Sequence, residues 1–456
     1  MAIGLRSSVS LDKRQDSAAT LIFPMIEEYI PETIDRALDN ERPGAWKFDI
    51  LNARRMLRLT LLQACGATVS FQKTLRNVWQ AWTHAECVTG DMPASSSFAE
   101  ARARLPIWSL EMLFKHTVAL ADSMTVPHEF SQFRIQAIDG TPLTLPNSPI
   151  NRNHFGTTRH EHGEAYYPQA LAVWVSHVDT GIVADEYLGT SREGDESIAP
   201  LMLQEVLKSG DLFLGDAHIG TFATMSVGIS RGAHFVCRAQ GALKVDAHIT
   251  RRYASQDADA QLRRSDYMHR KYARLHLPEQ LELRAVSADI PSRDFLNGTE
   301  RAYFFTNLPR SEFSTSDVER LIRLRWTHET LNNDIKTRMG LGEIRSQHPE
   351  AVRREVLAHL CLHNILRLLL YRAQPESPRS LSFTAAVAAL LQANEQLRAD
   401  LSRRTEVHAL LDTMIAQQPI DDRPGRSEPR MRRPNKRIHP MFKSSRAEWR
   451  EKRKAG

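Results

Sequence analysis

Cysteine is scarce in this sequence. Cys65, Cys87, Cys237 and Cys361 are the four in 456 residues, and none forms a C-x-x-C pair. That excludes a zinc site built from paired thiolates and makes a disulfide framework unnecessary at this length. Reduced thiols in a cytoplasm are the matching expectation. Long apolar runs are missing as well. The most apolar stretch, residues 356–371, is broken by His359, His363 and Arg367, which argues against a membrane span. Residues 1–14 lack an apolar segment followed by a small-residue cleavage site, so no secretory signal is read. No internal repeat is present.

What is there is an ordinary globular composition, 42% hydrophobic and 25% charged, in a chain long enough for two to four domains. The net charge is +6 but unevenly placed. Residues 423–454 hold 13 Lys/Arg against 3 Asp/Glu, a net of +10, which leaves −4 for the rest. A basic tail on a near-neutral body suits a polyanionic partner. Arg432, Arg433, Lys436 and Arg437 are its candidate phosphate contacts.

The apolar spacing divides the chain into four regions. Residues 1–127 carry apolar positions at three- and four-residue spacings and read as a helical N-terminal domain. Residues 128–238 and 301–374 read as an α/β core. Its strand candidates are 133–138, 170–178, 182–188, 212–215, 234–238 and 303–307, with helix candidates at 198–209 and 222–230. Residues 239–300, polar and Arg-rich with strand-like pieces such as 281–288, read as a β-rich insertion. Residues 375–456 read as a helical region ending in the basic tail. A helix is predicted over 316–339, with Ser316 as N-cap and Gly340 just past its end, and another over 349–373.

Two-metal phosphodiester chemistry needs carboxylates that converge on hard cations. Asp139 follows the apolar run Ile135–Ile138 and precedes Gly140-Thr141-Pro142. Asp216 directly follows Leu212-Phe213-Leu214-Gly215. Either, alone, is an ordinary turn starter. The 316–339 segment says more. Arg325, Glu329 and Lys336 lie at offsets 0, +4 and +11, within about 40° of one another on a helix. A carboxylate between two cations is either a plain surface ion pair or a metal ligand flanked by phosphate-binding groups. Asp185 and Asp211 are rival acids; Asp211 begins its strand rather than ending it.

At this point the chain resembles the DDE transposases of bacterial insertion sequences, in the insertion sequence 4-like branch marked by Tyr-x2-Arg-x3-Glu-x6-Lys. Arg325-x3-Glu329-x6-Lys336 matches three of the four positions. Ile138-Asp139-Gly140-Thr141 is similar to the first acidic block, followed by Asn153-His154-Phe155-Gly156 and Tyr167-Pro168-Gln169. Leu212 to Asp216 is similar to the second, His234 to Arg238 to the strand after it, and Tyr303 to Leu308 to the strand before the Glu helix. Two positions depart: Ile322 stands where the signature has Tyr, which removes a hydroxyl, and Ala217-His218 follows Asp216 where Arg is usual.

The resemblance implies a ribonuclease-H-like core with Asp139, Asp216 and Glu329 holding Mg²⁺, for which Mn²⁺ substitutes. It implies Arg325 and Lys336 on DNA phosphates, and Trp326 stacked on a displaced base. The implied partners are duplex DNA at terminal inverted repeats, target DNA and a second copy of the chain in the synaptic complex, without a membrane. The implied location is a bacterial cytoplasm, at the nucleoid. The rivals are a nuclease on the same core without strand transfer, and a silent DNA-binding descendant.

Overall fold

The apolar run before Asp139 builds an interior strand of a mixed sheet. The computed structural model describes residues 17–41, 49–65, 70–85, 87–88, 91–160, 163–240, 245–291, 299–420 and 451, with backbone alone at 326–329 and at a few segment ends. Strands β1 (Ile135–Thr144), β2 (Gln169–His177) and β3 (Val183–Thr190) form an antiparallel meander. β4 (Leu212–Gly215) adds to the other side of β1 in parallel, and β5 (His234–Arg238) adds in parallel to β4. β6 (Ile249–Ala254), β7 (Asp257–Arg263), β8 (Gln280–Pro291) and β9 (Thr299–Thr306) extend the sheet. Among the described residues the spatial order is β3-β2-β1-β4-β5-β9-β8-β7-β6.

Helices cover both faces, as the two-residue period of a strand requires when each face must be buried. The N-terminal helices are α1 (Glu32–Asp39), α2 (Ala53–Cys65), α3 (Phe71–His84), α4 (Ser95–Arg104) and α5 (Ile107–Ala121). Within the sheet region come α6 (Pro149–Phe155), α7 (Asp195–Val206), α8 (Phe222–Ser230) and α9 (Asp266–Lys271). After β9 follow α10 (Thr315–Leu324), α11 (Trp326–Asn333), α12 (Pro349–Ala373), α13 (Phe383–Ala399) and α14 (Arg404–Ala416). On one face Ile138, Val173 and Val175 pack with Ile198 and Leu203 of α7 and Met225 of α8. On the other, Leu143, Ala172 and Trp174 join a cluster that runs through α12 and takes in apolar residues from Ala18 to Ile415. α12 is buried on nearly every side, which makes it the post around which N- and C-terminal helices gather.

Two elements differ from the sequence reading in ways that matter for the site. β1 does not stop at Ile138. It continues through Asp139 to Thr144, because its pairing with β2 runs on to Thr144–Gln169 while its pairing with β4 ends at Ala137–Leu214. Pro142 is tolerated there, on a stretch that is an edge towards the β4 side. The predicted helix 316–339 is also not continuous. Ser314, not Ser316, caps it, in a capping box with Asp317. It breaks at Arg325, resumes as α11, and closes in a π turn over Asp334–Arg338. The π turn carries a buried carboxylate: Asp334 pairs with Arg367 of α12 and with Arg338. Gly340, at φ 79°, takes the left-handed position that ends the segment.

α7 begins three residues earlier than its predicted start. The described residues up to Ile290 and from Arg301 to Ile420 make up one compact unit. The tail residues Arg432, Arg433, Lys436 and Arg437 lie outside the described residues. No described helix is long and apolar enough to cross a membrane.

Candidate active site

Asp139 sits where β1 has lost its β4 neighbour but keeps β2, so its side chain stands beside the open end of β4. Asp216 follows the last residue of β4. The fold thus brings together the two acids that the sequence singled out. The Asp139 carboxyl is pushed up to about 6, first by burial and then by the charge of Asp216; the Gly140 amide and Arg325 act in the opposite sense, and the charge of Asp195 adds to the rise. Its Oδ1 accepts the Gly140 N–H at 2.8 Å and its Oδ2 the Asn332 side-chain amide at 3.3 Å. Asp216 is held by its own turn, its Oδ1 accepting the backbone amides of His218 at 2.9 Å and Ile219 at 2.8 Å. Neither carboxylate forms an ion pair with Lys or Arg among the described residues.

The broken helix supplies the opposite wall. Asn332, in the last turn of α11, donates to Asp139 and accepts the indole N–H of Trp174 at 2.7 Å. Trp174 is fully buried and is the direct cross-strand partner of Asp139. The strand pair therefore fixes the helix that faces it. Lys336, four residues on, donates from Nζ to Thr141 Oγ1 at 2.6 Å and to the Pro142 carbonyl at 3.1 Å. Burial lowers its pKa while Asp139 works against that fall. Arg325 lies close enough for its charge to reach Asp139. Glu329 falls on α11 three residues before Asn332, hence on the same helix face. Only the backbone of Trp326 and Glu329 is described, so their side-chain roles lie outside it.

Ile322 lines a pocket with Leu214, Val236, Ile290 and Phe304, with Arg238 and Arg325 at its polar side. The position of the signature Tyr is thus occupied by a residue of an apolar surface next to the β4 end. Of the rival acids, Asp211 is buried in a structural role: Arg134 Nε donates to it at 2.9 Å and Gln136 at 3.1 Å. Asp185 is raised by burial on β3 and does not join the group. Two residues that sequence reasoning passed over do join it. Asn332 gave no signal beyond its helix spacing from Glu329 and Lys336. Asp195, at the start of α7, lies three residues before the predicted helix 198–209 and drew no reading from the sequence. Among the described residues no three His, Cys, Asp or Glu side chains form a metal-holding group by themselves.

No match is found among curated proteins. A solved structure, the cryo-EM structure of the piggyBac transposase synaptic complex with hairpin DNA, is similar to 90% of this chain and 86% of its own, at 9% identity and a TM-score of 0.41. The transposase DDE domain family matches residues 130–365. That is more than half of the sequence, and it spans Asp139, Asp216 and Glu329: the chain belongs to the DDE transposase family.

Proposed function

We propose that the chain is an insertion-sequence transposase of the insertion sequence 4-like branch. It binds duplex DNA at terminal inverted repeats, cuts it with divalent metal held by Asp139, Asp216 and Glu329, and joins the freed 3′ ends to target DNA. The observation that carries this reading is one helix face: Arg325, Asn332 and Lys336 each reach Asp139 or its strand, and Glu329 shares that face. The order β3-β2-β1-β4-β5, with helices on both faces, supports a ribonuclease-H-like core.

The donor chemistry fits a hard cation. The set is carboxylate oxygen only, and Asp139 is a half-buried acid whose charged form is opposed by Asp216 and which forms no ion pair among the described residues. Such a charge is costly to bury uncompensated. Mg²⁺, with Mn²⁺ as substitute, would activate the attacking oxygen and stabilise the leaving one. The protein's own part is positional. Asn332 orients Asp139, the 218–219 amides orient Asp216, and Arg325 and Lys336 bear on the phosphates that flank the cut. Trp326 stacks on a displaced base.

Residues 1–127 recognise the ends, 239–300 form the insertion, and two copies pair the ends. In the 375–456 region, Arg432, Arg433, Lys436 and Arg437 grip phosphate without regard to sequence. Replacing those four by alanine is expected to flatten the dependence of log affinity on log salt by about 3–4, read from duplex binding between roughly 50 and 200 mM salt.

The test of function is an assay of the full chain with Mg²⁺ on DNA carrying the repeats that flank its gene. Strand cuts at the repeat ends, followed by covalent joining to target DNA, are the expected products. Cuts without joining would identify a nuclease, and binding with neither would identify a silent DNA-binding protein.

A further inference from the structure

Asp195 opens α7 as its first residue after the N-cap Gly194. An acid there ordinarily serves the positive end of the helix macrodipole. The next residue, Glu196, stands in the same first turn: its carboxylate accepts Ser197 Oγ at 3.0 Å and lies 4.0 Å from Lys271. Asp195 instead leans on β1. A Cβ placed on Gly140 would stand 2.6 Å from Asp195 Cβ and 2.8 Å from its Oδ2. The carboxylate therefore lies over the one residue of β1 that has no side chain, the immediate neighbour of Asp139. Its Oδ1 accepts the Glu196 amide at 2.9 Å. Its Oδ2 has no hydrogen bond among the described residues, and Asp195 forms no ion pair there.

The charge of Asp216 bears on Asp195, and that of Asp195 bears on Asp139. Three carboxylates thus share one end of the sheet, at a like-charge cost that helix capping does not require. Asparagine would accept the Glu196 amide equally well.

We propose that Asp195 is a fourth acid of the metal centre: its free oxygen accepts hydrogen bonds from water on the cation that Asp139 and Asp216 hold. This rests on the reading of the site given under Proposed function. Mg²⁺ keeps several of its waters, and their O–H groups need acceptors. A carboxylate that stands behind the ligands suits that part, and such outer partners typically change metal affinity by about 10–100-fold. Asp195 is on this account a positioning residue, acting through metal-bound water rather than on DNA.

The test is Mn²⁺ binding by the full chain, followed by the electron paramagnetic resonance signal of free Mn²⁺, for wild type, Asp195→Asn, Glu196→Gln and Asp139→Asn. Melting temperature in chelator and DNA binding in chelator are measured beside it. Asp195→Asn is expected to weaken Mn²⁺ binding about tenfold or more, with DNA binding and metal-free melting temperature not reduced. Glu196→Gln should stay within about twofold, which separates a local role from net charge. Should Asp195→Asn lower the melting temperature, Asp195→Glu restores the charge and is expected to recover Mn²⁺ affinity. Mn²⁺ affinity within about twofold of wild type in Asp195→Asn, while Asp139→Asn loses it, would overturn the role of Asp195 alone. Equal affinity in wild type and Asp139→Asn would overturn the metal site itself, and the present inference with it.

Discussion

Asp139→Asn is expected to abolish metal-dependent strand cleavage and, in chelator at neutral pH, to melt at a higher temperature than wild type. The first half follows from the chemistry. A bound cation supplies several kcal/mol of transition-state stabilisation, and each factor of ten in rate is about 1.4 kcal/mol. Loss of a direct ligand should therefore lower the cleavage rate by about 10³-fold or more. The second half follows from burial and like charge, which raise the Asp139 carboxyl from its ordinary 3.8 to about 6. Between those two values the metal-free folded protein binds more protons than the unfolded chain, so stability falls as pH rises from about 4 to 6 and stays low above it. At neutral pH the cost is on the order of 3 kcal/mol. The amide that replaces the carboxyl cannot ionise and escapes this cost, and the side-chain amide of Asn332 can turn to pair with it. Calorimetry in chelator at pH 5 and pH 7 checks the stability, and a gel assay of labelled ends checks the cleavage. A variant that melts lower than wild type at pH 7, or cuts at the wild-type rate, would contradict the placement of Asp139 as a strained metal ligand.

The same strain explains what the sequence could and could not reveal about the site. Asp139 and Asp216 each stand at the end of an apolar run, where an acid is by itself an ordinary turn starter; the fold brings the two close enough for the charge of Asp216 to bear on Asp139. A helical period puts Arg325, Glu329 and Lys336 on one face, and the structure keeps Arg325 and Lys336 near Asp139 although the helix is broken at Arg325. Asn332 was not legible: its meaning comes from Trp174, 158 residues away in sequence. Asp195 was not legible either, since a helix-starting acid is common and its contact with Gly140 exists only once β1 and α7 are packed. The same holds for the fold. The strands from 133 to 238 and the 349–373 helix could be read from apolar period. The run of β1 past Asp139 and the π turn at Asp334–Arg338 go with long-range partners, namely β2 and Arg367.

Arg58→Met is expected to cost about 3–5 kcal/mol of stability, the largest loss foreseen for a residue outside the candidate site. Arg58 is 1% exposed, and so is Asp35; Glu27 is wholly buried. The guanidinium donates from Nε and Nη2 to both Glu27 oxygens, at 2.6 and 2.8 Å, and from Nη1 and Nη2 to both Asp35 oxygens, each at 2.9 Å. This fork saturates two carboxylates that have no access to water. A methionine fills much of the volume but leaves both acids buried, with Arg54 as the remaining cation at Asp35. Removing one member of a buried ionic group is far more damaging than replacing the whole of it. The triple variant Glu27→Met, Asp35→Leu, Arg58→Met should thus recover most of the lost stability, as urea unfolding would show. Asp35, held below its ordinary value by Arg58 against the pull of burial, adds a pH signature. Its contribution is complete above the unfolded value near 3.8 and is lost as pH falls through the lower folded one. Arg58→Met should remove that acid-side loss. The effect reaches the candidate site because the N-terminal helices share one apolar cluster with α12, and Arg102 of α4 donates to Ser346 at 3.0 Å, just beyond the π turn that follows α11. An Arg58 variant that is still folded should therefore lose rigidity along the helix bearing Glu329 before the sheet bearing Asp139, and hydrogen exchange at 326–340 should accelerate ahead of exchange at 135–144.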